Sequence, residues 1–134
     1  MANIIPDAFK SELLSGTHNF ANGGNTFKIA LFTDISGYST SSTAYSTTNE
    51  VSSSGTSYTA GGNALDSQAV SVASNTALVD FADEVFSSVT LSAVGAVIYN
   101  DTNSDKLVVV LDFGGTKTAT NGDFTIQFPA AGAS

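Results

Sequence analysis

Apolar and polar positions alternate along most of this chain with the two-residue period of β-strands, and two runs stand out from that pattern. Val94–Tyr99 and Leu107–Phe113, inside AVGAVIYNDTNSDKLVVVLDF, are nearly continuous β-branched and aliphatic stretches around the polar connector Asn100–Asp105. Such runs predict a central hairpin with both faces partly covered, by a second sheet or by a neighbouring subunit. Around it, TFKIALFT at Thr26–Thr33 alternates Phe27, Ile29 and Leu31 with Thr26, Lys28 and Ala30 and predicts the first strand. QAVSVA at Gln68–Ala73 and TALVDF at Thr76–Phe81, joined by Ser74 and Asn75, predict a second hairpin. In it Val70 and Val72 share a face of one arm, and Ala77, Val79 and Phe81 share a face of the other. Asp83–Val89 predicts a short strand or turn, and Ala119–Phe128 a last strand with Phe124, Ile126 and Phe128 alternating, ended by Pro129 before a small tail, Ala130–Ser134.

Only the N-terminus reads as a helix. Within Ala2–Gly16, Ile5, Phe9 and Leu13 repeat every fourth residue, with Ala8 and Leu14 widening the stripe, Pro6 suited to the first turn and Gly16 to the end. Two readings stand side by side: a helix lying on the domain's own core, or an arm that docks on another subunit. Residues 34–62 are rich in Ser, Thr, Gly and Tyr. A structureless segment of that length is unusual, so Tyr38, Tyr45, Val51 and Tyr58 are expected to anchor it. The count is about seven or eight strands and one helix in a single domain spanning residues 1–134. The expected fold class is all-β, an antiparallel β-sandwich or jelly-roll-like barrel with one short N-terminal helix.

Composition narrows the function. Cysteine is absent, which removes disulfides, a thiolate nucleophile and cysteine-based metal sites. Twelve acidic residues face four lysines and no arginine, a net charge of −8 that would be repelled by a phosphate backbone, so neither nucleic acid nor an anionic membrane is an expected partner. No secretory signal opens the sequence and no run has transmembrane length, so synthesis in a cytoplasm is expected.

Candidate chemistry is sparse. His18 is the single histidine and has neither a GxSxG elbow nor a second histidine, so a structural role is expected. Asp101, Asn103 and Asp105 open like a calcium loop, but Lys106 stands where glycine is needed and Asp112 where a bidentate glutamate is needed, so a polar Asx turn is expected. Asp80, Asp83 and Glu84 could in principle do acid–base work; alternation turns Asp80 away from Phe81 and a solvated rim is expected. Gly114-Gly115-Thr116-Lys117-Thr118 lacks phosphate-loop spacing and reads as a turn. No catalytic residue, metal or cofactor is assigned.

Taken together, IPDAFKSELLSGTHNF, FKIALFT with the downstream TAYSTTNEVSSSGTSYTAGG, and VDFADEVFSSVTLSAVGAVIYND with LVVVLDFGG resemble small β-rich capsid decoration or cement proteins of tailed bacteriophages, from about Asp7 to Phe128. The resemblance implies a non-enzymatic virion protein on the capsid exterior, bound to the major capsid protein, usually as a homo-oligomer with a trimer favoured. Partner contacts are then expected at Ile4, Ile5, Phe9 and Leu13 of the arm and at Tyr38, Tyr45 and Tyr58 of the excursion. A tail or fibre component, or a carbohydrate-binding β-sandwich for host attachment, are the alternatives.

Overall fold

The computed structural model describes residues 3–128; Ala2, Pro129 and the Ala130–Ser134 tail lie outside the described residues. The fold is all-β with antiparallel sheets and one short helix. Helix α1 spans Asp7–Leu14. It starts after Pro6, which lacks an N–H and holds the residue before it extended, so Ile5, expected on the helical stripe, precedes the helix. It ends where Gly16, at φ +77, lets Thr17 N donate back to Glu12 O at 2.9 Å.

Six strands follow: β1 (Phe27–Phe32), β2 (Asn63–Ala64), β3 (Ala69–Ala73), β4 (Thr76–Asp80), β5 (Glu84–Asn100) and β6 (Lys106–Ile126). The main sheet has the order β2-β1-β5-β6, and β3-β4 form a separate two-stranded sheet. The expected central hairpin is the β5–β6 pair, from Asn100↔Lys106 to Gly95↔Asp112. Strand number is lower than the sequence pattern predicts because segments merge. The predicted short strand at Asp83–Val89 is the start of the 17-residue β5, and the predicted last strand is the second half of the 21-residue β6. Polar residues and glycines inside these strands mark bulges and bends rather than ends.

The bend has a steric cause. Ala93 pairs with Lys117 while Gly95 pairs with Asp112, so residues 113–116 form an excess on β6, with Gly114 at φ +77. On the facing strand a Cβ at Gly95 would stand 2.5 Å from Leu111 O, so only glycine allows this approach. Beyond the bend the β5–β6 ribbon crosses the face of its own sheet. Asn63 Nδ2 of β2 donates to Glu84 Oε2 at 2.8 Å, Thr90 N donates to Thr56 Oγ1, and Tyr58 lies 5.7 Å from Phe86 ring to ring.

One hairpin therefore supplies both layers over a core of Phe27, Ile29, Leu31, Phe86, Val89, Leu91, Ile98 and Phe124. The opposite face of the sheet, Ala30, Phe32, Val97, Tyr99 and Val110, is covered by Ile35, Tyr38 and Tyr45. Both faces of the central hairpin are thus covered, as its composition predicts, and the cover comes from the same chain.

Residues 34–62 wrap the edge of β1. Val51 N donates to Leu31 O and Thr33 N to Asn49 O, each at 2.9 Å, while Leu65 N donates to Phe27 O. The outer edge of β6 is closed in the same way near its start, by Ile4, paired both ways with Val110, and by Leu107 N donating to Thr43 O. Gly62 permits the closest approach. Its φ is +78, and a Cβ there would lie 1.8 Å from Ile29 O, inside the backbone of β1. Gly62→Ala is expected to cost about 3 kcal/mol or more, read as a lower urea midpoint at unchanged slope.

Candidate functional site

The residues with the most chemical potential are committed to internal ties. Asn100 is fully buried, and its Oδ1 accepts from Thr102 N and Asn103 N, which fixes its amide. Asn100 Nδ2 therefore donates to His18 Nδ1 at 3.0 Å, and His18 Nε2–H donates to Glu12 Oε1 at 3.0 Å. Glu12 Oε2 also takes Lys106 Nζ at 3.2 Å. An imidazole between a carboxylate and an amide donor has no nucleophile opposite it and works as a pin joining α1, the following loop and the β5–β6 turn. Its ring also packs against Phe9 (5.0 Å) and stacks on Phe20 (6.2 Å).

The second tie is Glu50. Its carboxylate accepts from Tyr45 OH at 2.5 Å, Tyr58 OH at 2.6 Å and Gly61 N at 2.7 Å. Tyr58 OH in turn accepts from Leu31 N, Tyr99 OH donates to Gly61 O at 2.6 Å, and Tyr45 stacks on Tyr99 at 4.3 Å. Burial first, then the hydrogen bond to Glu50, pushes the phenols of Tyr45 and Tyr58 well above the ordinary tyrosine value. Tyr99 is raised by burial and next by the charges of Asp105 and Asp101, and Tyr38 chiefly by burial.

Three expected partner contacts are corrected by this geometry. Tyr38 and Tyr58 are buried in the chain's own core, and Tyr45 is half-buried against Tyr99 and Phe32. Their rings anchor the excursion internally because each phenol finds its acceptor within the fold: Ser46 O for Tyr38, Glu50 for the other two.

The remaining polar candidates fall into place as structure. Asp101–Asp105 form a turn with Ser104 and Asp105 in the left-handed region. Asp105 is raised by burial and by Asp101. Lys28 Nζ stands 3.9 Å from Asp101 Oδ2. Glu84 is tied to Asn63, Asp83 Oδ1 accepts from Phe128 N, and Asp80 lies opposite Ala69 in the β3–β4 ladder. Among the described residues no three His, Asp or Glu side chains group to hold a metal ion.

What the molecule presents outward is an apolar groove. One stretch, of about 360 Å³, is lined by Ile5, Phe9 and Leu13 on one side and by Val79 and Phe81 on the other, over a floor that includes Val108. A contiguous stretch shares Leu13, Phe20 and Val79 and continues along Val70, Ala77 and Leu78. Of the expected arm contacts, Ile5, Phe9 and Leu13 meet here; Ile4 lies apart, half-buried in its pairing with Val110. The hairpin valines were not among the residues expected to meet a partner. Their signal in the sequence is the absence of any charged residue from Ser67 to Val79.

No protein-family model, no curated protein and no solved structure matches this chain.

Proposed function

We propose that this chain is a non-enzymatic structural protein of a phage particle, docking on the outside of the assembled shell as a decoration or cement protein. The observation that carries this reading is the apolar groove between α1 and β4, with Ile5 and Leu13 exposed on its wall. A contiguous exposed apolar surface marks a protein–protein contact. Support also comes from the commitment of His18, Glu12 and Glu50 to structural hydrogen bonds, and from the resemblance of Asp7–Phe128 to decoration proteins.

In this reading the groove takes an apolar side of a major capsid protein subunit. A protein that binds only the assembled shell stabilises it by the free energy of binding. The acidic surface suits a site away from packaged DNA.

Cryo-electron microscopy of particles made by the genome encoding this chain tests the reading. Density for the β5–β6 double layer on the outer face of the shell is expected, with occupancy lost on Leu13→Lys. Density in the tail, or none on the head exterior, would overturn it.

A further inference from the structure

Asparagine followed by glycine is the dipeptide most open to cyclising on itself, because a glycine without Cβ lets its amide nitrogen reach the asparagine Cγ and expel ammonia. The chain has two such pairs, Asn22-Gly23 and Asn121-Gly122. The fold treats them oppositely. Asn121 is clamped by one hydroxyl: its backbone N donates to Thr90 Oγ1 at 2.9 Å, and its Oδ1 accepts from Thr90 Oγ1 at 3.2 Å. Gly122 pairs with Val89 inside the β5–β6 ladder. Closing a ring at Asn121 would break both ties.

Asn22-Gly23 stands at the tip of a loop that is tied only on either side of it. Asn25 N donates to Asn19 O, Asn19 N to Asn25 Oδ1 and Ala21 N to Asn19 Oδ1, and Gly24 N closes a turn on Ala21 O at 2.8 Å. The Asn22–Gly23 peptide is the middle of that turn. Both residues are exposed, and Gly23, at φ +81, has nothing within 4 Å of the place a Cβ would take. Among the described residues the Asn22 amide makes no hydrogen bond. Nothing therefore holds Asn22 Cγ away from the Gly23 nitrogen, and the pair borders an open polar cleft of about 270 Å³ that water can enter.

We infer that Asn22 is a site of spontaneous deamidation, selected over Asn121 by the fold, whose product loosens the β3–β4 hairpin. The Gly23 nitrogen bonds to Asn22 Cγ and gives up its proton, the Cγ–Nδ2 bond breaks, and ammonia leaves with that proton, so a succinimide remains. Water then opens either carbonyl. One opening gives aspartate, and the other gives isoaspartate, in which the main chain runs through the side chain and is one methylene longer. Either product puts a carboxylate into residues 13–27, which hold no Asp, Glu or Lys, on the cleft that Asp66 also lines. The added methylene falls between Ala21 O and Asn25 O, the two acceptors, each at 2.9 Å, that hold Gln68 Nε2 at the base of the hairpin. The hairpin wall of the groove thus ages with the chain. None of this depends on docking to a shell.

Peptide mass mapping of the purified full chain, kept folded in warm, mildly alkaline buffer for several days, is the test. Cleavage after Lys10, Lys28, Lys106 and Lys117 puts Asn22 in peptide 11–28 and Asn121 in peptide 118–134. A gain of about 1 Da is expected at Asn22, about tenfold faster than at Asn121, with the two rates converging when the chain is kept in guanidinium. Asn22→Gln, whose longer side chain would have to close a larger ring, should remove the gain from peptide 11–28. Amide hydrogen exchange across residues 69–80 should be faster in the isoaspartate fraction than in fresh protein. No gain at Asn22, an equal gain at both asparagines in folded protein, or a gain in peptide 11–28 that survives Asn22→Gln would overturn the site. Unchanged exchange in the hairpin would overturn the loosening.

Discussion

Replacing Glu50 with alanine is expected to destabilise the fold by about 3–5 kcal/mol and to open residues 34–62 to proteolysis. One carboxylate accepts from two phenols and the backbone N–H of Gly61, and no other acceptor is in place to take them. Its removal leaves Tyr58, which is buried, without its acceptor, and frees the Tyr45 ring stacked on Tyr99. Because Tyr58 OH also accepts from Leu31 N, the damage reaches β1 at the centre of the sheet. Domains of this size hold only about 5–15 kcal/mol in total, so the melting temperature should fall by roughly 10–20 °C. Glu50→Gln keeps one carbonyl acceptor and should cost about half as much. A Glu50→Ala protein within about 1 kcal/mol of wild type, with no new cleavage between residues 34 and 62, would refute this account of how the excursion is ordered.

Alkaline solution should unfold the protein steeply, through the same tyrosines. Tyr58 and Tyr99 are buried and raised above the ordinary phenol value. Below about pH 10 both the folded and the unfolded chain keep these protons, and the stabilisation is fully present. Above it the unfolded chain ionises and the folded one does not, so each such tyrosine removes about 1.4 kcal/mol per pH unit until its folded value is reached. Tyr45, half-buried, adds less because solvent screens it. Urea midpoints measured from pH 8 to 12, together with the tyrosinate absorbance, check this: the midpoint should be flat to about pH 10 and then drop, with absorbance rising only as the fold is lost. Tyrosinates appearing near pH 10 in protein that stays folded would contradict it. Tyr58→Phe should shallow the drop while lowering stability at neutral pH through the lost hydrogen bonds.

Much of the fold was legible in the alternation of side chains. Phe27, Ile29 and Leu31 on one face of β1, the Asn100–Asp105 turn, and the Val70/Val79 face of the second hairpin all follow from a period of two read over short windows. Strand ends were less legible. A bulge keeps backbone pairing through residues that break the apolar pattern, so the stretch between Val89 and Val94 and the Gly114–Thr118 segment look like a gap and a turn while β5 and β6 continue through them.

The candidate site divides in the same way. Phe9 and Leu13 are visible from their spacing because a helix brings every fourth residue to one side, while Ile5 joins them in the groove from the extended residues before Pro6. Tyrosines, by contrast, suit interfaces and interiors equally, and only the position of Glu50 decides that Tyr38, Tyr45 and Tyr58 turn inward. Nor does the sequence of Gln68–Asp80 say which side of its alternating pattern is left uncovered, since that depends on what the rest of the chain packs above it.

By itself, then, the sequence determined the all-β class, one short N-terminal helix, the central hairpin and the charge-free segments, because each depends on local periodicity, backbone chemistry or composition. The tertiary structure alone decided that one bent hairpin forms both layers, that Glu50 and His18 are pins, and that the hairpin valines face outward. Those outcomes depend on contacts between residues tens of positions apart, whose pairing no local pattern encodes.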